Sequence, residues 1–129
     1  MTTEAHSPVD RAHPYSPARL VGDTAYVSGA LAVDRAGEPV TGASEALDAA
    51  LDRLEERLGT VGLCLADLVK LTYFVTDISL REAANDQLIA RFEAPRPARS
   101  FLAVSALPYG ATVEIEAVAR RQADDGTAR

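Results

Sequence analysis

The sequence predicts an α+β domain, a mixed β-sheet with two helices packed on one face. Three observations carry that prediction. Two stretches repeat apolar residues at helical spacing, one ending near Leu58 and one near Phe92. Five others are short, alternate in polarity or are rich in β-branched and aromatic residues, as strands are. Their order, β-β-α-β-α-β-β, groups strands around the helices.

The first element is a hairpin. Ala18–Val21 and Thr24–Ser28 flank Gly22-Asp23, a turn pair with glycine first, as a type II′ turn prefers. A second turn is expected at Arg35–Glu38. A helix then runs from about Ala43 to Leu58, because Leu47, Leu51, Leu54 and Leu58 form one apolar stripe. Asp48, Asp52, Glu55 and Glu56 decorate its other faces, and Gly59 is placed to supply a left-handed C-cap. Leu68–Thr76 reads as a strand. The second helix is expected to start near Ser79, which has capping-box spacing to Glu82. Leu80, Ala84, Leu88 and Phe92 make its stripe, and Pro95 and Pro97 end it. Two closing strands, Arg99–Ala106 and Thr112–Arg120, are joined by a turn at Leu107–Gly110. One layer of helices cannot cover both faces of such a sheet. Apolar residues on the other face (Tyr73 or Phe74, and Val118) favour burial against another subunit. Packing against other copies of the chain, with the sheets at the centre, is therefore expected.

Composition narrows the function classes. A chain of 129 residues, 47% hydrophobic, is one domain able to bury a core unaided. Residues 1–13 and 122–129 lack apolar anchors and are expected to be flexible, leaving 14–121 as the single domain. No apolar run is long enough to span a bilayer, and the first residues do not resemble a signal peptide. Cys64 is the one cysteine, which rules out an intrachain disulfide. A cytoplasmic location without a membrane partner is the expectation. The net charge of −6 and the scattered basic residues argue against nucleic acid. Two histidines, His6 and His13, and one cysteine make no metal cluster.

Several side chains could carry chemistry. Arg99, at a strand start stiffened by Pro97, could clamp a carboxylate with its planar fork, or form a surface ion pair. Glu114 and Glu116 share one strand face, suited to acid/base work or simply to solvent. Tyr15, between Pro14 and Pro17, could line a pocket or plug the core edge. Asn85 interrupts the second helix at a partly buried phase, able to bond across an interface or face water. Cys64, among leucines, is expected to be a small buried hydrophobe.

Four segments change these odds. Pro14-Tyr-Ser-Pro17, Val27-Ser-Gly29, Pro97-Ala-Arg-Ser100 and Val113-Glu-Ile-Glu-Ala117 resemble, in order and spacing, the reactive intermediate deaminase (Rid, or YjgF) family. Lys70–Asp77 resembles the family's central strand. The resemblance covers roughly residues 14–121. It implies a chorismate-mutase-like fold, a homotrimer with sites in the clefts between subunits, and hydrolysis of enamines and imines to a 2-oxo acid and ammonia. No metal or organic cofactor is implied. Arg99 matches the arginine that clamps the substrate carboxylate, and Glu114 the residue that positions the attacking water. Tyr15 and Asn85 match pocket residues, and Gly29 a position whose backbone approaches the ligand.

The chain also departs from the family pattern. Ala30 stands where many members have glutamine, and Phe101 where the best-known subgroup has cysteine or a small residue. The segment between Asn85 and Arg99 is shorter than in that subgroup. Phe101, as a pocket residue, suits a different imine. The alternatives to a 2-imino acid deaminase are a relative acting on a larger imine, a non-catalytic ligand-binding trimer, and an RNA-directed nuclease, which the charge disfavours.

Overall fold

The computed structural model describes residues 13–122. The expected flexible ends lie almost wholly outside the described residues, as does His6. The strands are β1 (Ala18–Val21), β2 (Thr24–Leu31), β3 (Leu68–Val75), β4 (Ala98–Ala103) and β5 (Val113–Arg120). The helices are α1 (Ala43–Gly59) and α2 (Arg81–Arg91). One five-stranded sheet runs in the order β1-β2-β5-β3-β4. Only β3 and β4 are parallel, joined through α2; the other neighbours are antiparallel.

The alternation in the strands sorts the two faces. Val113, Ile115, Ala117 and Ala119 of β5 are buried in one core with Leu71, Tyr73 and Val75 of β3. Leu47, Leu51, Leu54 and Leu58 of α1 complete that core, each contributing about 1.5–3 kcal/mol by leaving water. One polar network is built into it. The Tyr73 hydroxyl donates to Gln87 Oε1 at 2.7 Å, and Gln87 Nε2 donates to Asp48 at 2.9 Å. Arg91 pairs with Asp52 at 3.0 Å, so α1 and α2 are tied beside the core. Gln87 satisfies a tyrosine hydroxyl that would otherwise be buried without a partner.

Among the described residues the opposite face carries no layer. Tyr26 (54% exposed) and Leu102 (39% exposed) lie there with half-buried Leu31, Phe74 and Val118. Of the two aromatic candidates for this face, Phe74 lies on it, whereas Tyr73 points into the helix-covered core.

Four local expectations are corrected. Gly59 remains within α1, and the left-handed residue after the helix is Gly62 (φ +77°), because Thr60 continues in the right-handed region. The Asp77 side chain caps Ser79 N–H over a 3₁₀ turn at Ile78–Leu80, and α2 starts only at Arg81. Asp77 lies two residues before Ser79, where its short carboxylate reaches that amide. Cys64 is exposed, since the turn before β3 points it outward, and its backbone N–H donates to Asp67. β4 ends at Ala103, three residues before the expected Ala106, though Val104 N–H still reaches Val75 O at 2.8 Å.

Candidate active site

The candidate residues fall into two groups. Arg99 enters β4 level with Leu71, so its side chain lies on the helix-covered face at the sheet edge. Its guanidinium carbon sits 5.5 Å from the Tyr73 ring centre and 5.1 Å from that of Phe101. Two aromatic faces thus support the cation, and the rings themselves pack 5.8 Å apart. One amino group of Arg99 donates to Asn85 Oδ1 on α2 at 2.8 Å. The other, Nη1, is buried without a partner among the described residues. Burial lowers the Arg99 pKa, which Tyr73 partly opposes. Arg99 forms no ion pair among the described residues. Asn85 and the rings fix the plane of the fork and leave a donor for a planar anion.

The second group lines a cavity of about 640 Å³ with Tyr15, Gly29, Arg57, Tyr109, Glu114 and Glu116 among its walls. It forms where β1 stops. β1 pairs only with Thr24–Val27, so beyond that point the edge of β2 meets the loop before β1 instead of a strand. A bulge between Val27 and Ala30 gives β2 one residue more than β5. That extra residue keeps Ser28 and Gly29 off the core while Val27 and Ala30 both stay buried. Ser28 ties the preceding loop down, its hydroxyl donating to Ser16 O at 2.7 Å and its amide to Pro17 O at 3.0 Å. Tyr15 is thereby held at the cavity wall, its ring 5.5 Å from that of His13.

Glu114 lies directly over Gly29. A Cβ built on Gly29 would overlap the Glu114 carboxylate, so the absence of a side chain there makes room for it. Burial first, and the Glu116 charge second, push the Glu114 carboxyl above the usual glutamate value, while Arg57 pulls it back. A half-buried carboxylate of raised pKa is a better proton acceptor than a solvated one. His13, by burial and by the charges of Arg57 and Arg53, is held below the usual histidine value.

The sheet separates the two groups. Glu114 stands level with Phe74 and Leu31 on the uncovered face, whereas Arg99 stands level with Leu71 on the other. Arg99 also lies on edge strand β4, two strands from β5. Within one chain, Arg99, Asn85 and Phe101 come together, as do Tyr15, Gly29 and Glu114, but the two groups do not meet.

Arg57 escapes sequence reasoning. It is 6% exposed, and its Nε is buried without a partner among the described residues. A signal for it exists: Ala46, Ala50 and Arg57 follow helical spacing beside the leucine stripe, which places the arginine on the buried side of α1. Gln87 was likewise hidden, because a glutamine two residues after Asn85 reads as a solvent-facing position. Among the described residues no His, Cys, Asp and Glu gather in threes to hold a metal, and no described helix is long and apolar enough to cross a membrane.

Known proteins resemble this chain over most of its length. The family profile described as Endoribonuclease L-PSP matches residues 5–121. A 2-iminobutanoate/2-iminopropanoate deaminase of Capra hircus is 40% identical over 108 residues, covering 82% of this chain and 79% of that protein. The Homo sapiens protein of the same name is 38% identical with the same coverage. The crystal structure of RidA from the Antarctic bacterium Psychrobacter sp. PAMC 21119 superimposes with a TM-score of 0.77 at 33% identity, over 84% of this chain and 89% of that one.

Proposed function

This chain belongs to the Endoribonuclease L-PSP family, and from that premise and its two half-sites we propose that it is a hydrolytic deaminase of small 2-imino acids. The observation that carries this reading is the 40% identity, over 82% of the chain, to a 2-iminobutanoate/2-iminopropanoate deaminase. The substrates are 2-iminopropanoate-like imines and their enamine tautomers, and the products are a 2-oxo acid and ammonia.

Arg99 clamps the substrate carboxylate, donating from the amino group that Asn85 leaves unused. Phe101 and Tyr73 hold the guanidinium plane and bound the substrate side chain. Glu114 accepts a proton from a water as that water adds to the imine carbon and passes it to the imine nitrogen, giving a tetrahedral amino alcohol. The hydroxyl proton then moves through Glu114 to the nitrogen, the C–N bond breaks as the C=O bond forms, and nitrogen leaves as ammonia. An imine carbon is already electrophilic, so orientation of the water matters more than strong activation. Tyr15 and the Gly29 backbone line the far side of the substrate. This chemistry calls for no cofactor.

The half-sites work only across copies. The reading is a homotrimer in which Arg99, Asn85 and Phe101 of one copy face Tyr15, Gly29 and Glu114 of the next. The uncovered sheet face with Tyr26, Phe74 and Leu102 supports it, since apolar area of this kind is what subunit contacts bury. A net charge of −6 weighs against an RNA substrate.

A coupled assay tests the activity. A pyridoxal-phosphate dehydratase generates 2-iminopropanoate or 2-iminobutanoate, semicarbazide competes for it, and the yield of 2-oxo acid is followed. The protein should divert the imine to 2-oxo acid at the expense of the semicarbazone. An unchanged partition across both imines would reject the reading.

A further inference from the structure

Of the charged groups around the Glu114 cavity, only Arg57 is buried, and it is the one without a direct ion pair among the described residues that the fold cannot place in water. A buried guanidinium is costly unless its charge is compensated and its donors are used. Its surroundings offer two compensations. Tyr15 and Glu114 line the same cavity as Arg57, which places the phenol oxygen as an acceptor for its donors and the carboxylate as a countercharge. Both come from outside the helix layer. The route lies beyond the end of β1, where α1, the Tyr15 loop and the outer face of β5 line one cavity.

We propose that Arg57 is a positioning residue of this site, orienting the Tyr15 hydroxyl and serving as the fixed countercharge of Glu114. The argument rests on the reading that Glu114 handles the water, although the coupling itself is a property of the folded chain. Arg57 suits the task because α1 holds its stem in the core between Leu54 and Leu58. It cannot swing into solvent as an exposed arginine would. With Arg57 donating to the phenol oxygen, the Tyr15 O–H is left to donate into the cavity.

The groups facing Glu114 set the direction of the effect. Glu116, on the same strand face, opposes its ionisation, as does burial, and Arg57 favours it. Arg53 lies on α1 one turn before Arg57, and His13, Tyr15 and Tyr109 come from loops. Removing the Arg57 charge therefore leaves Glu116 unopposed, and Glu114 should hold its proton to higher pH.

The test is the titration of the Glu114 carboxyl by NMR, in protein carrying ¹³C-labelled glutamate, with Glu114→Gln used to assign the signal. Arg57→Met keeps the stem and removes the charge, and a core α1 position should tolerate it. Its Glu114 midpoint should rise, Arg57→Lys should restore it part of the way, and Glu116→Gln should lower it. In the deaminase assay the acid limb of kcat should move upward with the same midpoint in Arg57→Met, and return part-way in Arg57→Lys. A Glu114 midpoint unmoved in folded Arg57→Met and Arg57→Lys proteins would overturn the inference. If the protein has no deaminase activity, the NMR midpoints still decide whether Arg57 and Glu114 are coupled, so the two failures are told apart.

Discussion

Arg99 and Glu114 project from opposite faces of one sheet, the first level with Leu71 under the helices and the second level with Phe74 on the uncovered side. A guanidinium for a carboxylate and a carboxylate for a water are of use to one small substrate only when they lie a few ångströms apart. The separation turns a question about catalysis into one about assembly, and it sets what each substitution should do.

Arg99→Ala should weaken binding of a 2-oxo acid such as pyruvate by roughly tenfold to a hundredfold, the equivalent of a lost charge-assisted hydrogen bond of about 1.5–3 kcal/mol. Arg99→Lys keeps the charge but loses the fork that Asn85 and the rings hold in plane, so it should also bind weakly. Calorimetric titration reads the affinity, and thermal melts should show both variants folded. Wild-type affinity in folded Arg99→Ala protein would reduce Arg99 to a structural edge residue.

Glu114→Gln should lower kcat by about 10²–10⁴ while 2-oxo acid binding changes little, as expected for a group that acts on a proton. In the wild type, kcat should fall as the pH drops through the Glu114 pKa, above the ordinary glutamate range because burial and Glu116 raise it. The same raised pKa has a consequence for stability. The folded state pays for the ionised carboxylate once the pH exceeds its folded pKa, and pays nothing below the unfolded pKa, where both states are protonated. Glu114→Gln should therefore melt higher than wild type at neutral pH, with the difference closing as the pH falls through the carboxylate range.

Gly29→Ala isolates the position of Glu114 from its chemistry. The added Cβ meets the end of a flexible side chain rather than backbone, so the fold should survive while the carboxylate is displaced. Melting should stay near wild type and kcat should drop, with KM moved less. An active Gly29→Ala enzyme would show that the close contact has no bearing on turnover.

The fold was legible in the sequence because its signals are periodic. The leucines of α1 fall at helical spacing and end up fully buried, and Val113–Ala119 alternates and does so in the sheet. Caps were less legible: Asp77 and Ser79 are both capable of starting a helix, and only the 3₁₀ turn between them selects Asp77. Candidate site residues were legible singly, as a stiffened arginine or a paired glutamate. Their grouping was not, since strand alternation fixes a face only relative to neighbours, and pairing of β4 with β3 is long-range information. Arg57 was hidden for another reason. Helical spacing from Ala46 and Ala50 places it on the buried side of α1, but no local pattern records that a cavity shared with Tyr15 and Glu114 lies beside it.

Assembly can be broken from the uncovered face. Tyr26 is exposed there beside Val118, and Tyr26→Glu would place a charge in the proposed subunit contact. Sedimentation should give a homotrimer for wild type at micromolar concentration and smaller species for Tyr26→Glu. The folded but dissociated variant should retain little deaminase activity. Full activity in a monomer would remove the need for a shared site.

The most direct test mixes two inactive variants. Arg99→Ala supplies an intact Glu114 and Glu114→Gln an intact Arg99, and the two proteins are denatured, combined in equal amounts and refolded together. If each site takes Arg99 from one copy and Glu114 from its neighbour, random assembly makes one fully equipped site in four, and the mixture should recover about a quarter of wild-type activity. The double variant Arg99→Ala/Glu114→Gln, mixed with wild type, controls for refolding yield. If both groups act from the same chain, no mixed assembly contains a complete site, and a mixture as inactive as its two components would contradict the account.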